Sequence, residues 1–242
     1  MIKKIVVTID GPAASGKGTL ARALGRIFDL RVLDTGLLYR LVGLAAHRAL
    51  IDPHDHDRAT DLATSLAAGL TIDQLKHPDL RGALAGRYAS VYSALPGVRR
   101  ALIDFQREFA DAPPMWEDGH HAVGAILDGR DCGTEICPLA PLKFYVIADV
   151  SVRARRRTGE LIAYGEPAVY EDILKDLMVR DHRDMTRAVA PTKPADDAVI
   201  LDTTYATPAQ VVENAAVMVE DRLGLARDVL LENITRHPEE RA

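Results

Sequence analysis

The sequence predicts an α/β protein built on a parallel sheet with helices over both faces, and three observations carry that expectation. The apolar runs at 4–9, 123–127, 142–147 and 198–201 lack polar alternation, so they read as strands covered on both sides. Segments with helical periodicity separate them, and strands alternating with helices give a parallel sheet. Polar clusters at Gly11, Asp34, Asp128 and Asp202 each follow a predicted strand. They therefore sit at the carboxyl ends of the strands, where open α/β sheets gather their working residues.

The first strand runs into Gly11-Pro12-Ala13-Ala14-Ser15-Gly16-Lys17-Gly18-Thr19, and then into a helix predicted over 17–28. Gly11, four residues, then Gly16-Lys17 is a spacing that turns successive backbone N–H groups toward phosphate oxygens at a helix N-terminus. Lys17, read as an exposed loop lysine, would lie along the β- and γ-phosphates of a nucleoside triphosphate. The strict pattern has Ser or Thr directly after the lysine. Here Gly18 holds that position and the hydroxyl follows at Thr19, which becomes the candidate side chain toward Mg²⁺. A Gly-Lys-Gly-Thr ending argues against a GTPase or a motor ATPase.

Downstream, Arg31-Val32-Leu33 leads to Asp34-Thr35-Gly36 and a long helix over 37–50, with Tyr39 and Arg40 in its first turns. Asp34 and Thr35 serve equally well as helix caps. From 52 to 81 the chain is punctuated by Pro53, His54, His56 and Pro78 around one helix, 58–70. The two histidines have no further ligand in view and read as surface residues. Helices over 84–94 and 98–110 are parted by Pro96-Gly97, and the region reads as an insertion between core strands. The strand at 123–127 ends in Asp128-Gly129-Arg130-Asp131. After the strand at 142–147 come an arginine-rich helix (152–157), a glycine-bearing loop (158–167) and a helix over 168–185. The last strand precedes a helix over 208–223, and 226–242 reads as a short helix and a frayed end.

On the helix ending near Met185, Arg180, Arg183 and Arg187 stand at i, i+3 and i+7, within an arc of about 60°. Like charges so placed repel unless something negative lies between them, and Asp181 and Asp184 are available for salt bridges. Arg153, Arg155, Arg156 and Arg157 form a second cluster across the glycine loop. With a phosphate loop elsewhere, the pattern reads as a lid over a polyphosphate. Phosphoryl transfer asks for positioning, charge neutralisation and exclusion of water. No general base stands out, and an acceptor that is already a phosphate dianion needs none.

The 242 residues suit one α/β domain with insertions, and 48% hydrophobic with 27% charged residues is ordinary for a soluble globular chain. A formal net charge of −5 does not suggest a general nucleic-acid binder, so an anion site must be a local arginine cluster. Two cysteines, Cys132 and Cys137, imply no disulfide framework and read as free thiols in a reducing compartment. No window approaches a membrane span. The expectation is a cytoplasmic monomer acting on small molecules, with neither nucleic acid nor membrane as partner.

Several stretches, in this order, resemble the bacterial cytidylate kinases, a family of P-loop nucleoside monophosphate kinases. They are Ile9 to Thr19; Leu33-Asp34-Thr35-Gly36 with Tyr39-Arg40; and Ala89-Ser90 with Val98-Arg99. Next come Asp128-Gly129-Arg130-Asp131 with Gly133-Thr134; Arg180-Asp181 with Arg183-Asp184 and Arg187-Ala188-Val189-Ala190-Pro191; and Asp197-Ala198 with Leu201-Asp202-Thr203-Thr204. The resemblance implies a P-loop NTPase-type five-stranded parallel core with an insert for the nucleoside monophosphate and a lid. The core takes about 1–50, 112–152 and 186–223, the insert about 51–111 and the lid about 153–185, with 224–242 as a tail.

The implied reaction is in-line phosphoryl transfer from ATP, with Mg²⁺, to CMP and dCMP. By position, Gly11, Pro12, Ala13, Ala14, Ser15, Gly16, Lys17, Gly18 and Thr19 match the ATP site. Arg40, Arg130 and Arg187 match acceptor-phosphate ligands, and Thr35, Ser90, Arg99 and Asp131 match residues around the cytosine. Arg180 and Asp184 match those near sugar and phosphate, and catalytic roles fall to Lys17, Arg130, Arg180 and Arg187. The interval 69–88 is short compared with members that carry a small antiparallel sheet there. Two other readings stand beside this one: a kinase for UMP and CMP or for AMP, and a regulatory switch that hydrolyses ATP slowly. Two arginine-bearing clusters argue against the switch, which needs no second phosphate pocket.

Overall fold

The computed structural model describes residues 5–227. Lys4 of the first predicted strand and most of the predicted tail helix lie outside them. Five strands, β1 (Ile5–Asp10), β2 (Leu30–Asp34), β3 (Gly124–Gly129), β4 (Leu142–Ile147) and β5 (Val199–Asp202), form one sheet in the order β2-β3-β1-β4-β5. All four neighbouring pairs are parallel. All six positions of β3 are buried, which explains an apolar run with no polar alternation.

The helices are α1 (Lys17–Ile27), α2 (Thr35–Arg48), α3 (His56–Ala68), α4 (Ala83–Tyr92), α5 (Pro96–Asp111), α6 (Val150–Ala163), α7 (Tyr170–Thr186) and α8 (Pro208–Leu223). Successive strand residues point to opposite faces. Ile126 of β3 joins Leu20, Leu24, Val211 and Val219 of α1 and α8 on one face. Ala125 and Leu127 join Leu38, Val42, Tyr92, Leu102 and Phe109 of α2, α4 and α5 on the other. Each such large side chain contributes about 1.5–3 kcal/mol when fully buried.

After β3 the chain crosses to the far side of β1 to make β4, so the direction of sheet growth reverses at β1. A crevice opens at such a reversal, beyond the carboxyl end of the strand. The glycine-rich loop that follows β1 lies there.

Most predicted elements coincide with the observed ones. Helix α8 has the predicted bounds because its ends are coded locally: Thr207 and Gln210 form a reciprocal capping box, Pro208 opens the first turn, and Gly224 closes the helix at φ 66°. The region after α6 differs. Helix α6 continues through Gly159 to Ala163, so the predicted loop at 158–167 shrinks to 164–169. Gly159 costs about 1 kcal/mol in a helix, but buried Leu161 anchors the extra turns and Gly165 turns the chain at φ 78°.

Helix α7 starts at Tyr170, two residues later than expected, and ends at Thr186. Arg187 is extended (φ −61°, ψ 144°), so it is not on the helical arc with Arg180 and Arg183. Left-handed Ala190 (φ 50°) and Pro191 carry the chain away from the helix axis. Between β2 and β3 there are two 3₁₀ turns, Asp73–Lys76 and Pro78–Arg81, and no strand. His54 and His56 are exposed, and both cysteines are free thiols. No helix of the described residues is long and apolar enough to cross a membrane.

Candidate active site

The loop after β1 is shaped by backbone constraints. A Cβ at Gly11 would lie 2.1 Å from the Val146 carbonyl of β4, so only glycine fits beside that strand. Gly16 (φ 96°) is the N-cap of α1 and offers no side chain to the first-turn amides. Three loop carbonyls are tied down: Lys17 Nζ donates to Pro12 O (2.7 Å), Arg153 Nη1 to Ala13 O (3.3 Å) and the Thr203 hydroxyl to Ser15 O (2.8 Å). Each peptide N–H points away from its own carbonyl. Pinning these oxygens therefore leaves the amides of residues 13, 14 and 16 facing the other way, toward a would-be anion at the helix N-terminus.

Lys17 is 5% exposed, which corrects the expectation of an exposed loop lysine. The loop closes over its stem. Burial and the charge of Arg130 push its pKa down, while Asp128 and Asp34 oppose that shift. Burial pushes Asp128 up, against the pull of Lys17. Asp34 and Asp128 are register partners at the ends of β2 and β3. A Cβ at Gly18 would lie 3.3 Å from Asp128 Oδ2, so the position that usually carries a hydroxyl faces this carboxylate instead. Thr19 is exposed in the first turn of α1.

Asp10, the last residue of β1, is 4% exposed and accepts the amides of Cys132 (2.8 Å) and Gly133 (2.7 Å). It thereby pins the π-helical turn Cys132–Ile136 that follows Arg130 and Asp131. Burial pushes Asp10 up to about 6 even though the two amides favour its charged form.

Two buried carboxylates organise the arginines. Asp184 Oδ2 lies 3.5 Å from Arg130 Nε and 3.7 Å from Arg180 Nε. Asp131 pairs directly with Arg99 through Oδ2, and its Oδ1 lies 3.8 Å from Arg187 Nη2. Asp131 thus braces Arg99, not Arg130. Arg99 also lies over the Tyr39 ring, 5.2 Å from its centroid. Burial, and then the Arg130 charge, depresses Arg180 to about 10; burial, and then Arg99, depresses Arg187. Arg130 Nε, Arg180 Nε and Arg187 Nη2 are buried with no hydrogen-bond partner among the described residues. Buried donors are normally satisfied, and an unpaired one costs about 1–3 kcal/mol. Here the three donors face carboxylate oxygens only at 3.5–3.8 Å, beyond normal hydrogen-bond length.

The remaining predicted residues line the same crevice or its flanks. The Thr35 hydroxyl donates to Asp128 O at 2.9 Å. Arg40 donates to Leu80 O (2.7 Å) and Gly82 O (3.4 Å). The Ser90 hydroxyl accepts from Arg183 Nη1 at 2.8 Å.

The α6 arginines do not act as one set. Arg153 is buried against Asp181 (2.7 Å), Arg156 grips Thr203, Arg157 pairs with Glu160 (3.1 Å) and Arg155 is exposed. Asp181 thus bridges to α6 and not to the arginines of its own helix, where among the described residues only Asp184 pairs, with Arg180. Asp10, Arg156, Thr203 and the pair Asp34–Asp128 are additions that sequence reasoning did not assign. The available signals were that Asp10, Asp34, Asp128 and Thr203 end or follow predicted strands and lie in the stretches that carry the family resemblance, whereas nothing singled out Arg156 from its arginine neighbours.

A family model described as cytidylate kinase matches residues 7–221. A cytidylate kinase of Rhodopseudomonas palustris (strain BisA53) is 50% identical over 83% of this chain and 89% of its own length. One of Bradyrhizobium sp. (strain ORS 278) is 48% identical over 89% of this chain and 96% of its own. In a solved structure of an uncharacterized protein from Eubacterium ventriosum, the same fold recurs at 12% identity with a TM-score of 0.51, covering 91% of this chain and all of that one.

Proposed function

The chain belongs to the cytidylate kinase family, and from that membership we infer that it transfers the γ-phosphoryl group of ATP to CMP, and to dCMP. The ATP phosphates bind along residues 11–19, with Lys17 neutralising the β- and γ-oxygens. The acceptor phosphate binds Arg40, Arg130 and Arg187, with Arg180 and Asp184 between it and the sugar. Thr35, Ser90, Arg99 and Asp131 surround the cytosine. In this reading 51–111 is the acceptor-binding insert, 153–185 the lid and the rest of 1–223 the core, working as a cytoplasmic monomer. The observation that carries the reading is the set of guanidinium groups of Arg130, Arg180 and Arg187 around Asp184 and Asp131, at ion-pair distances of 3.5–3.8 Å and with three buried N–H donors that make no hydrogen bond among the described residues.

Mg²⁺ prefers octahedral oxygen donors, keeps several waters, and needs one or two carboxylates besides substrate phosphates. Asp34 and Asp128, paired across β2 and β3, fit that requirement, with the Thr19 hydroxyl as a further candidate. When bound, the ion would supply charge neutralisation to the phosphates of the donor nucleotide. Lys17, Arg130, Arg180 and Arg187 stabilise the charge on the transferring group, and closure of the α6–α7 arm excludes water.

ADP release measured side by side with CMP, dCMP, UMP, AMP and dTMP tests this function. CMP and dCMP are expected to give the highest turnover. ATP turnover that stays flat on adding any of the five would instead favour a nucleotide switch. Within the site, Arg187→Ala should raise KM for CMP and slow transfer. A charge-assisted bond contributes about 1.5–3 kcal/mol, so kcat/KM for CMP should fall roughly ten- to hundredfold. Binding of ATP alone, followed by calorimetry, should stay near the wild-type value. A collapse of ATP affinity would assign Arg187 to the donor side.

A further inference from the structure

Helix α4 has no N-terminal cap of its own. Its N-cap residue is Gly82, extended at φ −65° and ψ 168°, with no side chain to meet the first-turn amides. The cap comes from elsewhere in the chain. Both carboxylate oxygens of Glu166 accept from the Ala83 amide, at 3.1 and 3.3 Å. Glu166 stands in the 164–169 connection between α6 and α7, 83 residues away in sequence. A negative charge at a helix N-terminus is favourable, and α4 has only ten residues over which to offset an unmet first turn.

Gly82 leaves room for this carboxylate: a Cβ there would come within 2.8 Å of Glu166 Oε1, the movable end of its side chain. The same seam is crossed by Arg157 Nη2 to Arg81 O (3.4 Å), Arg81 Nη1 to the Tyr164 hydroxyl (3.4 Å) and Arg183 Nη1 to Ser90 Oγ (2.8 Å). What Glu166 holds bears directly on the acceptor side. The carbonyls of Leu80 and Gly82 accept from Arg40, and α4 itself carries Ser90.

We propose that Glu166 is a positioning residue whose carboxylate caps α4 from the α6–α7 arm, so that closing the arm and setting Ser90 and Arg40 for the acceptor are one event. The kinetic consequence rests on the CMP kinase reading; the capping does not. In E166A, KM for CMP should rise about five- to tenfold, while kcat and KM for ATP stay within about twofold. E166Q keeps an acceptor oxygen and should recover most of the loss. A cap supplied locally should do the same. In the double variant G82S/E166A the clash is gone, and serine is among the preferred N-cap residues in this extended conformation.

Hydrogen exchange of the α4 amides gives a readout independent of turnover. They should exchange faster in E166A and return toward wild type in G82S/E166A. Unchanged exchange in E166A overturns the capping role whatever the kinetics. Faster exchange with an unchanged KM for CMP, or a raised KM that neither E166Q nor G82S/E166A recovers, overturns the positioning role. A wild-type protein inactive on CMP would count against the kinase reading alone, since exchange still decides the cap.

Discussion

Lys17→Ala should lower kcat by about 10²–10³-fold, the usual loss when a donor aimed at transition-state charge is removed. Lys17 is 5% exposed, and among the described residues its ammonium donates to Pro12 O at 2.7 Å. Stability should change little. Pro12 O loses a donor, at about 1–3 kcal/mol, but the truncation also removes a cation whose burial is unfavourable, as its depressed pKa records. Lys17→Met preserves the stem volume and should lose activity to the same extent while melting close to wild type. Single-turnover rates at saturating CMP and ATP, alongside thermal melts, separate chemistry from folding. Near-normal turnover in either folded variant would sink the assignment of this loop to the donor phosphates.

The second large effect is expected at Asp131. Cytosine presents an amino donor at C4 where uracil presents a carbonyl, and a carboxylate only accepts. Here one oxygen of Asp131 is engaged by Arg99 and the other lies 3.8 Å from Arg187. Asp131→Asn keeps the shape but removes the charge between two buried guanidinium groups. The melting temperature should therefore fall, since breaking a buried pair costs up to about 3–5 kcal/mol.

Its amide can turn to donate toward uracil. A mismatched polar partner costs about 1–3 kcal/mol, so the ratio of kcat/KM for CMP to that for UMP should fall roughly ten- to hundredfold. Arg99, a pure donor, suits the acceptor edge that both pyrimidines share, and Arg99→Lys should weaken both alike. If Asp131 serves only to hold Arg99, CMP and UMP would suffer equally in Asp131→Asn. An unchanged ratio in a folded variant decides for that.

Much of this protein is written in local sequence. The apolar run at 5–10, the left-handed Gly16 that caps the helix from Lys17, and the bounds of α8 follow from residues within a few positions of one another, whereas Gly11 is required by the approach of β4. Strand ends were legible because buried parallel strands are uniformly apolar and stop where polarity returns. The resemblance in motif order supplied the candidate residues, and the crevice brings most of them together.

Other features were decided only by the tertiary structure. Lys17 is buried because the ends of β2 and β3 and the Arg130 side chain come up beside its own loop, which local sequence does not show. Asp131 pairs with Arg99, 32 residues away, where a sequence shows only that both are charged. Arg187 leaves the helical arc because α7 ends at Thr186 and its own backbone is extended, and its charge reaches Asp131 from outside the helix. Gly82 looks like a poor helix start until Glu166 arrives from the α6–α7 connection. Periodicity and capping act over one or two turns, whereas ion pairs and trans caps form between segments that only the packing of the sheet and its helices brings within 4 Å.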